Sequence, residues 1–188
     1  MTDRAFELQS EDTLTQSVRE RGIKTWEALM KYMHRIPYGR NSDRADFRLV
    51  LKENKGTCGT KHAFMRAIAD LNGVSNVKLV IGIYRMNQYN TPKIGPELRQ
   101  NGVSYFPEAH VYLRILGKRI DLTRSDMDFE QMRSSILAER VITPEQIGAY
   151  KMRFHKTYLR KWLTKTQLKF SLEELWAMRE RCIAHLSD

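Results

Sequence analysis

The stretch Lys55-Gly-Thr-Cys-Gly-Thr-Lys-His-Ala-Phe-Met-Arg-Ala-Ile-Ala-Asp-Leu-Asn-Gly73 decides how this chain is read, because it sets a cysteine at the start of an apolar helix. Gly56 and Gly59 flank Cys58, and Thr57 stands where a helix cap belongs. Ala63, Phe64, Ala67, Ile68 and Leu71 then recur at helical spacing until Asn72-Gly73 ends the run. Cys58 thus falls in the first turn, where unpaired amides and the positive end of the helix dipole favour the thiolate. The same amides, that of Gly59 among them, suit an oxyanion. The plainer alternative is a small buried hydrophobe, and residues downstream have to decide between the two.

Immediately before this helix, His34 to Asp43 mixes proline, glycine and small polar residues and reads as a structured turn. Asp43 and Asp46 are expected to cap a helix whose inward face is Phe47, Val50 and Leu51. Further upstream, Leu14, Val18, Trp26, Leu29, Met30 and Met33 give one or two helices, with Gly22 as the break.

After Gly73, the β-branched run Val77 to Tyr84 predicts a strand, and Arg85 to Phe106 a long loop with the character of a lid or binding loop. Two strands, Glu108 to Ile115 and Lys118 to Thr123, meet at Leu116-Gly117. A turn centred there puts Thr123 opposite His110 and Asp121 diagonally beside it on one face; a turn centred on Gly117-Lys118 moves Asp121 a further pair away. The rest reads as helical: Ser125 to Leu137, a helix opened by Thr143-Pro-Glu-Gln146 and running to about Lys165, and a last one opened by Ser171-Leu-Glu-Glu174. Cys182 lies inside this last helix and reads as core.

Cys58, His110 and Asp121 occur in the order and on the elements that a thiol triad needs. In such a triad the histidine moves the proton and the carboxylate fixes the imidazole. Here the chain resembles the transglutaminase-like superfamily, through Lys55-Gly-Thr-Cys58, Glu108-Ala-His-Val-Tyr112 and Arg119-Ile-Asp-Leu-Thr123. The resemblance spans about residues 43–125. It implies a nucleophile at Cys58, a base and acid at His110 and an orienting carboxylate at Asp121. The family often carries tryptophan where Tyr112 stands and proline where Leu122 stands, so the resemblance is to a distant branch.

The fold expected is α+β: a single domain over 1–188, with a transglutaminase-like core in which the cysteine-bearing helix packs on a small antiparallel sheet, flanked by helices at 12–42 and 126–188. The function expected is acyl transfer or hydrolysis at a peptide or protein amide through a thioester on Cys58. Tyr38 and Asn41 from the structured turn, the Gly59 amide, and His62 one turn after the cysteine are the further substrate or oxyanion candidates.

No metal and no organic cofactor is expected, since His34, His62, His110 and His155 lack ligand spacing. Two cysteines without paired spacing point to a reducing compartment, the cytoplasm, and no stretch approaches a membrane span. The net charge is +10 over 188 residues, with Lys151, Arg153, Lys156, Arg160, Lys161, Lys165 and Lys169 carrying no acidic neighbour. Such a run is either a solvated helix face or a surface for an acidic protein or nucleic acid. The second reading makes the whole chain a catalytically silent binding module.

Overall fold

Local signals set the elements of the computed structural model, which is described for residues 6–125 and 132–186. Asp12 caps α1 (Thr13–Arg19), its carboxylate accepting from the Leu14 and Thr15 amides. Gly22, at φ +78°, turns the chain where a side chain would be strained. Thr25 then caps α2 (Trp26–Arg35). The short α3 (Leu49–Glu53) has no side-chain cap: Asp43 and Asp46 instead accept from the Ala45 and Arg48 amides in local turns, correcting the capping role expected of them. α4 (Cys58–Leu71) follows, then β1 (Val77–Met86).

Arg85 to Phe106 is more ordered than its composition suggests. It holds a 3-10 turn over Pro92–Ile94 that runs into α5 (Gly95–Gln100), started by Pro96 in its first turn. β2 (Phe106–Ile115) and β3 (Lys118–Ile120) pair antiparallel, with Ile115 opposite Lys118. The turn is therefore Leu116-Gly117, both at positive φ, as a two-residue hairpin requires. β3 ends at Ile120, so Asp121 lies just past the strand rather than on it.

Ile136–Ile142 is a strand, β4, where a helix reaching Leu137 was expected; the remainder of that expected helix falls largely outside the described residues. Thr143 and Gln146 form the anticipated capping box, but it opens a 3-10 turn, Pro144–Ile147. Gly148 interrupts before α6 (Ala149–Thr166) begins. Ser171 and Glu174 box the start of α7 (Leu172–Ala184). Among the described residues the fold is thus mixed, with seven α-helices and a four-stranded antiparallel sheet ordered β3-β2-β1-β4.

The chain divides into two compact units. The first is Met1–Val80, Val111–Met127 and Val141–Gly148; the second is Ile81–His110, Asp128–Arg140 and Ala149–Asp188. In the first, α4 is the central element, packed by α1, α2, α3 and the Pro144–Ile147 turn. Ala63, Phe64, Met65, Ile68 and Ala69 on it are fully buried. Each large side chain among them contributes about 1.5–3 kcal/mol by leaving water. In the second unit α5 and α6 each pack on α7. There the Trp162 indole donates to the Tyr105 hydroxyl at 2.9 Å, over a core that includes Phe106 and Leu159.

Candidate functional site

Cys58 is the first residue of α4 and is 8% exposed. Its position is set by a strap: the Gly56 amide donates to the Pro37 carbonyl at 3.2 Å and the Gly39 amide to the Gly56 carbonyl at 3.1 Å, forming a parallel bridge between Tyr38 and Gly56. Gly56 is required by space rather than by dihedral angle. A Cβ there would lie 2.9 Å from Lys61 Cγ, 3.0 Å from Thr60 Oγ1 and 3.1 Å from Val50 Cγ2.

Thr57 and Thr60 then close a capping box, the Thr57 amide donating to Thr60 Oγ1 at 2.9 Å and the Thr60 amide to Thr57 Oγ1 at 3.4 Å. The Lys61 amide donates to the Thr57 carbonyl at 3.0 Å. The amides of Cys58 and Gly59 stay outside the helical ladder, at its positive end.

Asn41, expected to offer a donor to an oxyanion, is committed to structure. Its amide protons go to Glu53 Oε2 and the Lys55 carbonyl, both at 3.0 Å, and its carbonyl oxygen accepts from Thr60 Oγ1 at 2.8 Å. Tyr38 is half-buried on the strap.

Lys61, one turn past the cysteine, is fully buried. Its ammonium donates to the carbonyls of Ile36 at 2.7 Å, Thr123 at 2.8 Å and Leu122 at 3.4 Å, one acceptor for each proton. Burial pulls its pKa from 10.5 down to about 8, while the charges of Asp121 and Cys58 pull it back up. The coupling is mutual: the ammonium favours both the Asp121 carboxylate and a Cys58 thiolate.

His62 is also fully buried, and its neighbours fix its tautomer. The Leu122 amide donates to Nε2 at 2.7 Å, so Nε2 is an acceptor, and Nδ1 carries the proton donated to the Cys58 carbonyl at 2.8 Å. The Asp121 carboxylate stands 3.5 Å from Nε2, without a proton between them in this tautomer. His62 is thus a neutral clamp from the first turn of α4 to the chain after β3, with both ring nitrogens in use. Asp121 accepts from the Thr123 amide at 2.9 Å and from the Thr123 hydroxyl, and its side chain is 5% exposed. Cys58 and Asp121 therefore belong to one unit, with the Lys61 charge coupled to both and His62 bonded to the Cys58 carbonyl and the Leu122 amide.

His110, the other expected member of the triad, lies in the second unit, near the middle of β2. It is 7% exposed, with the Tyr84 ring edge-on at 6.0 Å. Two residues before it, Glu108 is buried and receives Arg179 bidentately, Nε to Oε2 at 2.8 Å and Nη2 to Oε1 at 2.6 Å. Burial pushes the Glu108 carboxyl up, but the charges of Arg179 and His155 and the Arg179 hydrogen bonds outweigh it, and the net direction is down. Burial holds the His155 pKa below its ordinary value, against the pull of the Glu108 charge; its Nε2 donates to the Pro107 carbonyl at 2.7 Å. Cys182 is fully buried, and burial, with Glu97 and Glu108, pushes its thiol up to about 12.

The element that sequence reasoning undervalued is Lys61. Its signal is legible in retrospect: it is the one lysine between Cys58 and Met65, on a stretch otherwise free of charge apart from His62, with Thr57 and Met65 rather than acids four residues to either side. Compared with protein-family models, with curated proteins and with solved structures, the chain matches none.

Proposed function

We propose that the protein is a cysteine-dependent acyl-transfer enzyme of transglutaminase-like type, acting on a peptide or protein amide through a thioester on Cys58. One observation carries the reading: a buried cysteine at the first position of a capped helix, with a buried ammonium one turn on that favours its thiolate.

In the proposed cycle the Cys58 thiolate attacks the amide carbonyl carbon, and the carbonyl π pair moves to oxygen. Amides at the helix start, those of Cys58 and Gly59, suit that oxyanion. The C–N bond then breaks and the nitrogen leaves as amine or ammonia with a proton from the histidine. Water, or a second amine, gives its proton to the histidine as it adds to the thioester. Collapse breaks the C–S bond and restores the thiolate. The resemblance assigns the histidine to His110 and the orienting carboxylate to Asp121. His62 is a poor base, because the Leu122 amide already occupies its acceptor nitrogen.

The test is the pH profile of iodoacetamide labelling in a Cys182→Ala background, comparing the parent with His110→Ala and His62→Ala. Labelling that stays fast below the ordinary thiol range near 8.5, and whose profile His110→Ala changes, supports the reading. Labelling no faster than that of a free peptide thiol and indifferent to His110 refutes it. A profile moved by His62→Ala alone refutes the assignment of the base.

A further inference from the structure

The basic run singled out in the sequence takes no part in the thiol chemistry, and its placement on α6 gives it a shape. Ala149, Met152, Arg153, Lys156, Thr157 and Arg160 recur every three or four residues and line one shallow groove of about 360 Å³. All 18 residues of α6 are without a carboxylate. Lys156 and Arg160 are four apart, as are Lys161 and Lys165, so the helix carries like-charge pairs that each cost it a few tenths of a kcal/mol. Among the described residues, Arg153, Lys156 and Arg160 make no ion pair, and Lys156 sits over the Trp176 ring at 4.7 Å. The neighbouring α7, by contrast, interleaves Glu173, Glu174 and Glu180 with Arg179 and Arg181.

We infer that this face of α6 is a sequence-independent binding site for the phosphodiester backbone of nucleic acid. Three cations rise along about 10 Å of helix, and one nucleic-acid strand presents a phosphate about every 3.4 Å. Two of the three are guanidiniums, whose planar fork fits phosphate oxygens. No asparagine or glutamine lines the groove to read a base edge, so the contact is with the backbone. An acidic helix or a membrane surface would need apolar anchors at i, i+3, i+4 and i+7, and Met152 is the one large apolar residue exposed on α6.

The experiment is fluorescence anisotropy of the full chain with a labelled 20-nucleotide RNA and a 20-base-pair DNA duplex from 50 to 200 mM salt. Three backbone contacts give log–log slopes of about −2 for the single strand and about −2.7 for the duplex, a weakening of about 20- to 40-fold over that range. The triple variant Arg153→Gln/Lys156→Gln/Arg160→Gln removes the same charge as the control Lys24→Gln/Lys52→Gln/Lys78→Gln, whose residues are exposed in the first unit. Thermal melts of both establish that each is folded.

Binding to either probe that falls at least tenfold in the α6 variant and less than threefold in the control supports the site. Equal losses in both variants, or slopes near zero, overturn it. So does tighter binding to polyglutamate or to phosphatidylserine vesicles than to both nucleic acids.

Discussion

Replacing Lys61 with methionine keeps the length of the side chain and removes its charge, and the pH dependence of the loss is calculable. With Lys61 protonating near 8 in the folded chain and near 10.5 in the unfolded one, both states are charged below pH 8 and the native state bears the full cost of the buried ammonium. Between the two values the unfolded chain binds more protons, so stability rises with pH through this window. The gain is complete above 10.5. A difference of 2.5 pH units at 1.36 kcal/mol each is about 3 kcal/mol.

Lys61→Met has no such proton, so wild type gains about 3 kcal/mol on the variant from pH 7.5 to 10.5. At pH 7.5 the variant sheds the charge cost while taking the lysine donor away from three carbonyls, and the two effects oppose each other. Urea unfolding in a Cys58→Ala background, where the coupled thiol is absent, reads the difference as a midpoint separation that grows by about 1 M. A separation constant over that range would refute the assignment of Lys61 as a buried, shifted cation.

Gly56→Ala drives a methyl group into Lys61 and Thr60, at an expected cost of about 1–3 kcal/mol; a calorimetric midpoint within 1 °C of wild type would contradict that packing. Arg179→Met leaves Glu108 buried without its bidentate partner, with His155 and the more distant Lys151 as its remaining basic neighbours. We expect a loss of about 3–5 kcal/mol, partly recovered by adding Glu108→Gln, measured as a double-mutant cycle in urea. Because Glu108 is held below its ordinary value of 4.5, its stabilisation is present above pH 4.5 and lost as pH falls through the lower folded value. Wild type should therefore lose stability faster than Glu108→Gln on acidification below pH 4.5. In native protein at pH 7.5 a disulfide exchange reagent should label one thiol per chain, Cys58, because Cys182 is buried with its thiol near 12.

The helical starts were the most legible part of this chain. Thr57, Thr143 and Ser171 each announce an N-terminus through a side chain three residues from its partner, and such local bonds form wherever the chain allows. The hairpin was legible but its turn was not: Leu116-Gly117 and Gly117-Lys118 suit a tight turn equally, and the observed pairing of Ile115 with Lys118 decides for the first. β4 was not: Ile-Leu-Ala-Glu-Arg-Val-Ile has helix formers at its centre, and its strand state depends on joining the sheet, a contact far away in sequence. The proline- and glycine-rich stretch after Arg85 concealed α5 for the opposite reason, since Pro96 starts a helix as readily as it ends one. Of the site, the position of Cys58 could be read directly. The commitment of Asn41 to Glu53 and Lys55 could not, because hydrogen bonds across 12 and 14 residues leave no periodic trace.

The clamp made by His62 carries a consequence for folding. Its partner amide, Leu122, is 60 residues away, and the Lys61 bonds to Leu122 and Thr123 span 61 and 62. Closing a loop of that size costs about 3–4 kcal/mol in chain entropy beyond a constant term, and nothing local offsets it beforehand. The helix can therefore form early while its first turn waits for the hairpin to arrive. The Leu122 N–H, bonded to an imidazole instead of a backbone carbonyl, becomes a single-atom gauge of that closure: its hydrogen-exchange rate counts how often the frame around Cys58 comes apart.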